Sequence, residues 1–131
     1  MINKMKKKLL IILLLSVFPI DANALDWVNI DANDDGRTYI DVDSVRKVDE
    51  YVYVWIMVDL IDAVNTSDIS FLSAKSYDQI DCALGRSKRL TYIFYQENMG
   101  KGDFVSDNGN DEWHYASPGS RLDEVMKIAC N

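Results

Sequence analysis

The stretch Tyr51-Val52-Tyr53-Val54-Trp55-Ile56-Met57-Val58 decides the fold of this chain. It is β-branched or aromatic almost throughout, a composition typical of a strand. Because side chains alternate across a strand, one face of this segment carries three valines and Ile56. The other face carries Tyr51, Tyr53, Trp55 and Met57. We therefore predict a central strand that is apolar on both faces.

Further strands are predicted on both sides of this segment. They are expected at 27–30 and 38–41 before it, and at 71–82, 86–96, 104–106 and 113–116 after it. Residues rich in Asp, Asn, Ser and Gly separate them and favour turns. Residues 61–70 are predicted to form a loop. Residues 43–47 are predicted to form a polar connection, with a short helix as the alternative.

A single helix is predicted at the end of the chain. Ser120 is the candidate N-cap, and Asp123 and Glu124 place negative charge in the first turn, where it suits the helix dipole. Apolar residues recur with helical spacing at Leu122, Val125, Met126 and Ala129. The predicted fold class is therefore α+β: a single antiparallel sheet of about six strands, with the C-terminal helix packed on one face and one disulfide.

The composition fits one globular domain. The chain has 131 residues, of which 48% are hydrophobic and 27% charged, with two Pro and six Gly. These values exclude a disordered or low-complexity chain. The net charge of −7 repels phosphate, so nucleic acid is not expected as a partner.

The first 24 residues predict a secretory signal peptide. Four lysines between Lys4 and Lys8 form a basic start, an apolar run follows from Leu9 to Phe18, and Ala22-Asn23-Ala24 supplies a cleavage site. A membrane anchor is the alternative, but a span needs about twenty apolar residues and this run is shorter. The mature domain is then 25–131, without a transmembrane anchor. We expect it in the periplasm or on the cell surface of a Gram-negative-type bacterium.

Two cysteines remain in the mature domain, Cys82 and Cys130. In an exported protein such a pair most simply forms one disulfide. Reactive or metal-binding cysteines are the alternatives. No other cysteine lies two or three residues from either of them, and His114 is the single histidine. The disulfide is therefore favoured over a metal site.

The face opposite the helix is a candidate partner surface. A helix of about ten residues covers one side of a sheet, which leaves a side rich in Tyr and Trp. One alternative is that the sheet curls and that Trp27, Trp113 or the loops cover this side as core. The other is a surface for a protein partner or a homodimer, since such interfaces are enriched in these residues. The candidate contact residues are Tyr53, Trp55 and Tyr95.

The basic residues Arg86, Lys88 and Arg89 are a second candidate for partner contact. The mature chain carries ten basic and twenty acidic residues, a net charge of −10, and these three form its basic cluster. The cluster marks a site for an anionic partner or, in the alternative, neutralises nearby carboxylates such as Asp78 and Asp81.

The segment 31–36, Asp-Ala-Asn-Asp-Asp-Gly, matches the first half of a calcium-binding loop. The weak candidate ligands are Asp31, Asn33 and Asp35. Such loops place a bidentate carboxylate at position twelve, which is Val42 here, and Asn, Asp and Gly are also ordinary residues of hairpin turns. A plain turn is therefore favoured over weak Ca²⁺ binding, and no other cofactor is expected.

No motif for catalysis stands out. His114 is a potential acid or base, but the sequence has no Gly-x-Ser-x-Gly motif and no second histidine. We therefore expect a non-enzymatic protein, with an enzymatic domain as a minor alternative.

Features that match a known protein family extend over nearly the whole mature chain. They are Trp27, Tyr39-Ile40-Asp41 with Ser44 and Arg46, Val54-Trp55, Ser73-Ala74-Lys75-Ser76, Asp81-Cys82 with Arg86 and Arg89, the aromatic strand to Tyr95, Trp113, Pro118-Gly119-Ser120 and Cys130. In these features the chain resembles the bacterial surface-adhesin protein E family.

This resemblance implies a small antiparallel sheet with a C-terminal helix and a Cys82–Cys130 bridge. It also implies a binding protein on bacterial surfaces, whose best-known member attaches to host extracellular-matrix and serum proteins and assembles as a dimer. That member is lipid-anchored, whereas no Cys follows the predicted cleavage site here. A soluble periplasmic protein with an envelope partner is therefore the alternative.

Overall fold

The computed structural model describes residues 26–131. They form eight strands and one α-helix: β1 Trp27–Ala32, β2 Gly36–Asp41, β3 Arg46–Val48, β4 Tyr51–Asn65, β5 Ser70–Asp81, β6 Arg86–Tyr95, β7 Phe104–Asn108, β8 His114–Tyr115 and α1 Arg121–Ala129. Single 3₁₀ turns lie at Val42–Ser44 and Asn98–Gly100. The predicted signal peptide, residues 1–24, lies outside the described residues.

All strand pairs are antiparallel, and six strands form the main path of the sheet in the order β1-β2-β4-β5-β6-β7. The short strand β3 pairs with β4, and β8 pairs with β6. The predicted α+β class is therefore confirmed, although the strand count exceeds six by these two short strands.

The predicted loop at 61–70 is wrong for its first part. Strand β4 continues to Asn65, where it pairs with Ser70, and Val64 pairs with Phe71. Residues 61–65 are exposed, so backbone pairing rather than apolar burial extends this hairpin. The register shifts between Asp59 and Val64, which marks an irregularity in the ladder. Composition did not reveal this extension because the segment lacks a buried face.

Helix α1 covers one side of the sheet, which we call the helix face. Its buried residues Val125, Met126 and Ala129 pack into one core with residues of β2, β4 and β5, namely Ile40, Val52, Val54, Ile56 and Ile80. The predicted cap is confirmed, since Ser120 Oγ accepts a hydrogen bond from the Asp123 amide at 3.2 Å.

The predicted disulfide is confirmed. It joins Cys82, directly after β5, to Cys130 at the C-terminal end of α1, and the two Cα atoms lie 5.8 Å apart. The bridge ties the helix to the sheet on the face that it covers. The nine-residue α1, the one α-helix among residues 26–131, is too short to cross a bilayer.

Candidate functional site

The side of the sheet opposite α1, here called the aromatic face, carries Tyr53 and Trp55 on β4 and Tyr77 on β5. Trp55 lies directly across from Tyr77, with ring centroids 5.0 Å apart, and Tyr53 lies 6.0 Å from Tyr77. All three are half-buried. We call this trio the aromatic patch; it offers ring surface and two phenol hydroxyls to solvent.

A cation borders the aromatic patch on the β3 side. Arg46 pairs with Tyr53 in the ladder between β3 and β4. Its Nη2 donates a hydrogen bond of 3.2 Å to the Tyr77 hydroxyl. The guanidinium is therefore held beside the rings, where Arg can add both charge and stacking area.

Lys75 is enclosed by aromatic rings next to the patch. Its Nζ lies 5.5 Å from the Trp27 centroid and 5.1 Å from the Tyr95 centroid, both within the range of cation–π attraction. Burial lowers the pKa of Lys75, and the Asp41 carboxylate opposes that shift. A cavity of about 200 Å³ opens here, lined by Trp27, Asp41, Trp55, Lys75, Ile93 and Tyr95.

The end of the aromatic face near the β6–β7 connection is closed by the chain itself. The Met99 amide donates to Asp59 Oδ1 at 2.8 Å, and the Gly100 amide donates to Ser73 Oγ at 2.9 Å. Beneath this segment Met57 is fully buried. Met57 is therefore core, although the alternation of side chains places it on the same face as Trp55.

Trp113 lies at the opposite end of the face, under two cations. The Arg86 guanidinium carbon is 4.2 Å and the Lys88 Nζ 4.6 Å from its ring centroid. Both cations also pair with carboxylates. Arg86 Nε lies 3.0 Å from Asp81 Oδ2, and Lys88 Nζ lies 2.8 Å from Asp111 Oδ1. This end combines an aromatic ring with partly neutralised charge.

The predicted basic cluster is divided between the two faces. Arg86 and Lys88 lie on the aromatic face, whereas Arg89 lies on the helix face, with its Nε 3.9 Å from Asp78 Oδ2. The alternation of side chains in β6 causes the division. The register shift opposite Tyr77 and Asp78 decides which face each side chain takes, and it is seen only in the structure. Both pairings with Asp78 and Asp81 fit the charge-balancing alternative.

Comparison with known proteins agrees with this architecture. The family model described as surface-adhesin protein E matches residues 27–131. The chain belongs to the surface-adhesin protein E family. A search of curated protein sequences gave no significant match.

Solved structures of protein E from Haemophilus influenzae share the fold of this family member. Crystal form II of that protein is 19% identical, with a TM-score of 0.66, and the match covers 86% of this chain and 91% of that chain. A second structure of it gives a TM-score of 0.63 at 19% identity, with 86% and 88% covered. At this identity the likeness shows the fold alone.

The sequence of this family member gave no signal that Arg46, Lys75 and Tyr77 belong to this surface. The pairing of Tyr77 with Trp55 depends on the register between β4 and β5, which the sequence does not show. Trp27 lies beside Lys75, and Trp113 lies beside Arg86 and Lys88, while the aromatic patch stays half-exposed.

The segment 31–36 spans the end of β1, the turn at 33–35 and the first residue of β2. The Asn33 side-chain oxygen accepts hydrogen bonds from the amides of Asp35 at 2.9 Å and Gly36 at 3.1 Å. This oxygen, one of the three candidate calcium ligands, is thus engaged by the turn. Within residues 26–131, no group of three or more His, Cys, Asp or Glu is placed to hold a metal ion.

Proposed function

We propose that this adhesin-family protein is an exported, non-enzymatic binding protein that contacts a protein partner through its aromatic face. The observation that carries the proposal is the aromatic patch, three half-exposed rings bordered by cationic side chains. Large rings with polar tips, together with Arg, are enriched at the energetic centres of protein interfaces.

The distribution of charge supports a protein partner on this side. Although the mature chain has a net charge of −10, Arg46, Lys75, Arg86 and Lys88 all lie beside rings of the aromatic face. Stacked cations lose little side-chain entropy when a partner approaches. Such cations beside aromatic rings can complement acidic groups of a partner, which favours one orientation of an encounter.

Extracellular-matrix or serum proteins of a host are the partners we propose first, because the family is described as a surface adhesin. An envelope partner in the periplasm is the rival. Homodimer formation through the same face is the third use of the patch, and it would compete with partner binding.

The test is binding of the purified mature domain to an immobilised panel of matrix and serum proteins. Tyr53→Ser and Trp55→Ser should each weaken binding about tenfold or more, as expected for central interface aromatics. Tyr92→Ser is the matched control, because Tyr92 is a half-buried tyrosine of the helix face. Equal binding by all three variants and the wild type would contradict the proposal.

Two further measurements separate the rivals. Labelling of intact cells with an impermeant reagent should modify the protein if it is displayed at the surface, and should spare it in the periplasm. Sedimentation of the mature domain should detect a dimer that Trp55→Ser dissociates if the patch is self-complementary. If the domain is a monomer and captures only envelope proteins, its partner is an envelope protein and not a host protein.

A further inference from the structure

A second site lies on the helix face, where α1 stops short of the end of the sheet. A groove of about 740 Å³ runs from the first turn of α1 toward the β4–β5 hairpin. This volume is in the range of small-molecule sites. The groove lies on the other side of the sheet from the aromatic patch and shares Lys75 with the cavity described above. The inference drawn from it does not depend on the function proposed above.

One part of the groove is apolar. Its floor includes Val58 and Leu60 of β4, Phe71 of β5, and Phe94 of β6. The ring centroids of Phe71 and Phe94 lie 4.8 Å apart. The centroids of Tyr92 and Phe94 lie 5.9 Å apart, with an angle of 7° between the ring planes. None of these residues is fully buried, so the described chain leaves a half-open apolar channel that suits a hydrocarbon chain.

The other part of the groove contains the buried carboxyl of Asp78, which is 2% exposed. Its Oδ2 accepts a hydrogen bond from Ser87 Oγ at 3.2 Å and lies 3.9 Å from Arg89 Nε. Burial raises the pKa of Asp78, while the hydroxyls of Ser76 and Ser87 and the charges of Arg89 and His114 oppose the shift. His114 lines the same groove. Its Oδ1 receives no hydrogen bond from any residue in the described chain. A buried carboxylate oxygen without a donor is costly, which marks a place for a ligand donor.

A second polar group in the same groove is a donor that lacks an acceptor. Arg121, the first residue of α1, lines the groove, and its buried Nε–H has no acceptor among residues 26–131. The side chain of Arg89 is 49% exposed and is held to Asp78 by a long contact of 3.9 Å. The polar end therefore offers one acceptor in need of a donor, and two guanidinium groups able to bind an anion.

We propose that this groove binds a single-chain zwitterionic amphiphile whose head carries a primary ammonium and a phosphate. The hydrocarbon chain lies along Leu60, Phe71 and Phe94. The ammonium displaces the Arg89 guanidinium and donates hydrogen bonds to Asp78, and the phosphate accepts from Arg89 and Arg121. Each charged group of the head thus meets the opposite charge in the groove.

The probe is a lysophosphatidylethanolamine with a short acyl chain, titrated calorimetrically into the mature domain below the concentration at which it forms micelles. We expect saturable binding with one site. Lysophosphatidylcholine of the same chain length is the matched ligand control, because its quaternary ammonium has the same charge but no N–H donor. It should bind roughly ten- to hundredfold more weakly, the cost of a lost charge-assisted hydrogen bond.

Asp78→Asn keeps the shape of the side chain and removes its charge, and it should weaken binding of the ethanolamine lipid by a similar factor. Tyr53→Ser, on the aromatic face, is the protein control and should bind normally. Equal affinity for the two lysolipids, or an unchanged affinity of Asp78→Asn with the fold intact by circular dichroism, would overturn the proposal.

Vesicles of phosphatidylethanolamine and phosphatidylglycerol distinguish a single bound molecule from attachment to a membrane surface. The mature domain should remain in the supernatant after the vesicles are sedimented, while it still binds the monomeric lysolipid. If the domain sediments with the vesicles but does not bind the monomeric lysolipid, it has a membrane-binding surface and not a lipid-binding groove. That result would contradict the inference.

Discussion

The guanidinium carbon of Arg86 lies 4.2 Å from the centroid of the Trp113 ring. The same guanidinium is joined to the Asp81 carboxylate, whose Oδ1 also accepts from the Leu84 amide at 3.2 Å. Asp81 directly precedes Cys82, so the stack connects one end of the aromatic face to the end of the sheet that carries the disulfide. The position of Trp113 therefore depends on groups at the β5–β6 connection, within residues 81–86.

Replacing Trp113 by Leu should disturb partner binding more than folding. The substitution removes the ring on which Arg86 and Lys88 lie, so both side chains regain rotational freedom. We expect binding to the proposed protein partner to weaken about tenfold, as for a substantial interface aromatic. Surface plasmon resonance with the wild type as reference measures this. Full binding by Trp113→Leu would remove this end of the face from the proposed interface.

Loss of the disulfide should have a large effect on stability. The bridge spans a sequence separation of 48 residues, for which the chain-entropy estimate is about 4 kcal/mol. We expect the double variant Cys82→Ser, Cys130→Ser to lose a comparable free energy of unfolding in urea titrations. Reduced wild-type protein is the control and should behave like the variant. An exported protein with two free thiols by mass spectrometry would contradict the role of this bridge.

The buried Asp78 carboxyl should give a specific pH dependence. Because burial raises its pKa above the ordinary 3.8, the folded state binds this proton more tightly than the unfolded state. The contribution of Asp78 to stability is therefore greatest at low pH and is lost as the pH rises from about 3.8 through the folded pKa.

Asp78→Asn isolates that effect, since the other carboxyl groups are common to both proteins. We expect the free energy of unfolding of Asp78→Asn, relative to wild type, to rise as the pH increases from 3 to 7. Urea titrations at a series of pH values measure the difference. A difference that stays constant or falls over this window would mean that burial does not dominate the titration of Asp78.

Two glycines of the described chain should respond differently to alanine. A Cβ at Gly36 would lie 2.1 Å from the Asp59 carbonyl oxygen, because β2 and β4 approach closely there. At Gly85 the added Cβ meets nothing within 4 Å, although φ is +64°. Gly85→Ala should therefore cost about 1 kcal/mol, the penalty of the left-handed conformation.

Gly36→Ala should cost at least twice as much as Gly85→Ala, because backbone atoms of β2 or β4 must shift. Denaturant unfolding of both variants compares them directly. Similar losses for the two would show that the sheet accommodates a methyl group between β2 and β4 without distortion.

Much of the fold was predictable because its signals are local. The aromatic and β-branched run at 51–58 identified β4, and the apolar stripe with Ser120 identified α1 and its cap. The extension of β4 to Asn65 was not predictable, because its exposed residues are held by backbone pairing, which composition does not encode.

The candidate site was only partly predictable. Tyr53 and Trp55 were assigned to one face by the two-residue period of a strand, which any strand imposes. The contact of Tyr77 with Trp55 needed the register of two strands, and the enclosure of Lys75 by Trp27 and Tyr95 needed β1, β5 and β6 together.

By itself, the sequence determined the fold class, the helix cap, the cysteine pair and the face on which each residue of 51–58 lies, since these follow from short-range geometry and composition. Only the tertiary structure decided which charges meet which rings, that Met57 is core, and that α1 leaves a groove beside Asp78. The reason is that such contacts join residues far apart in the chain, and their distances depend on register, on the length of α1 and on the segment that closes over β4.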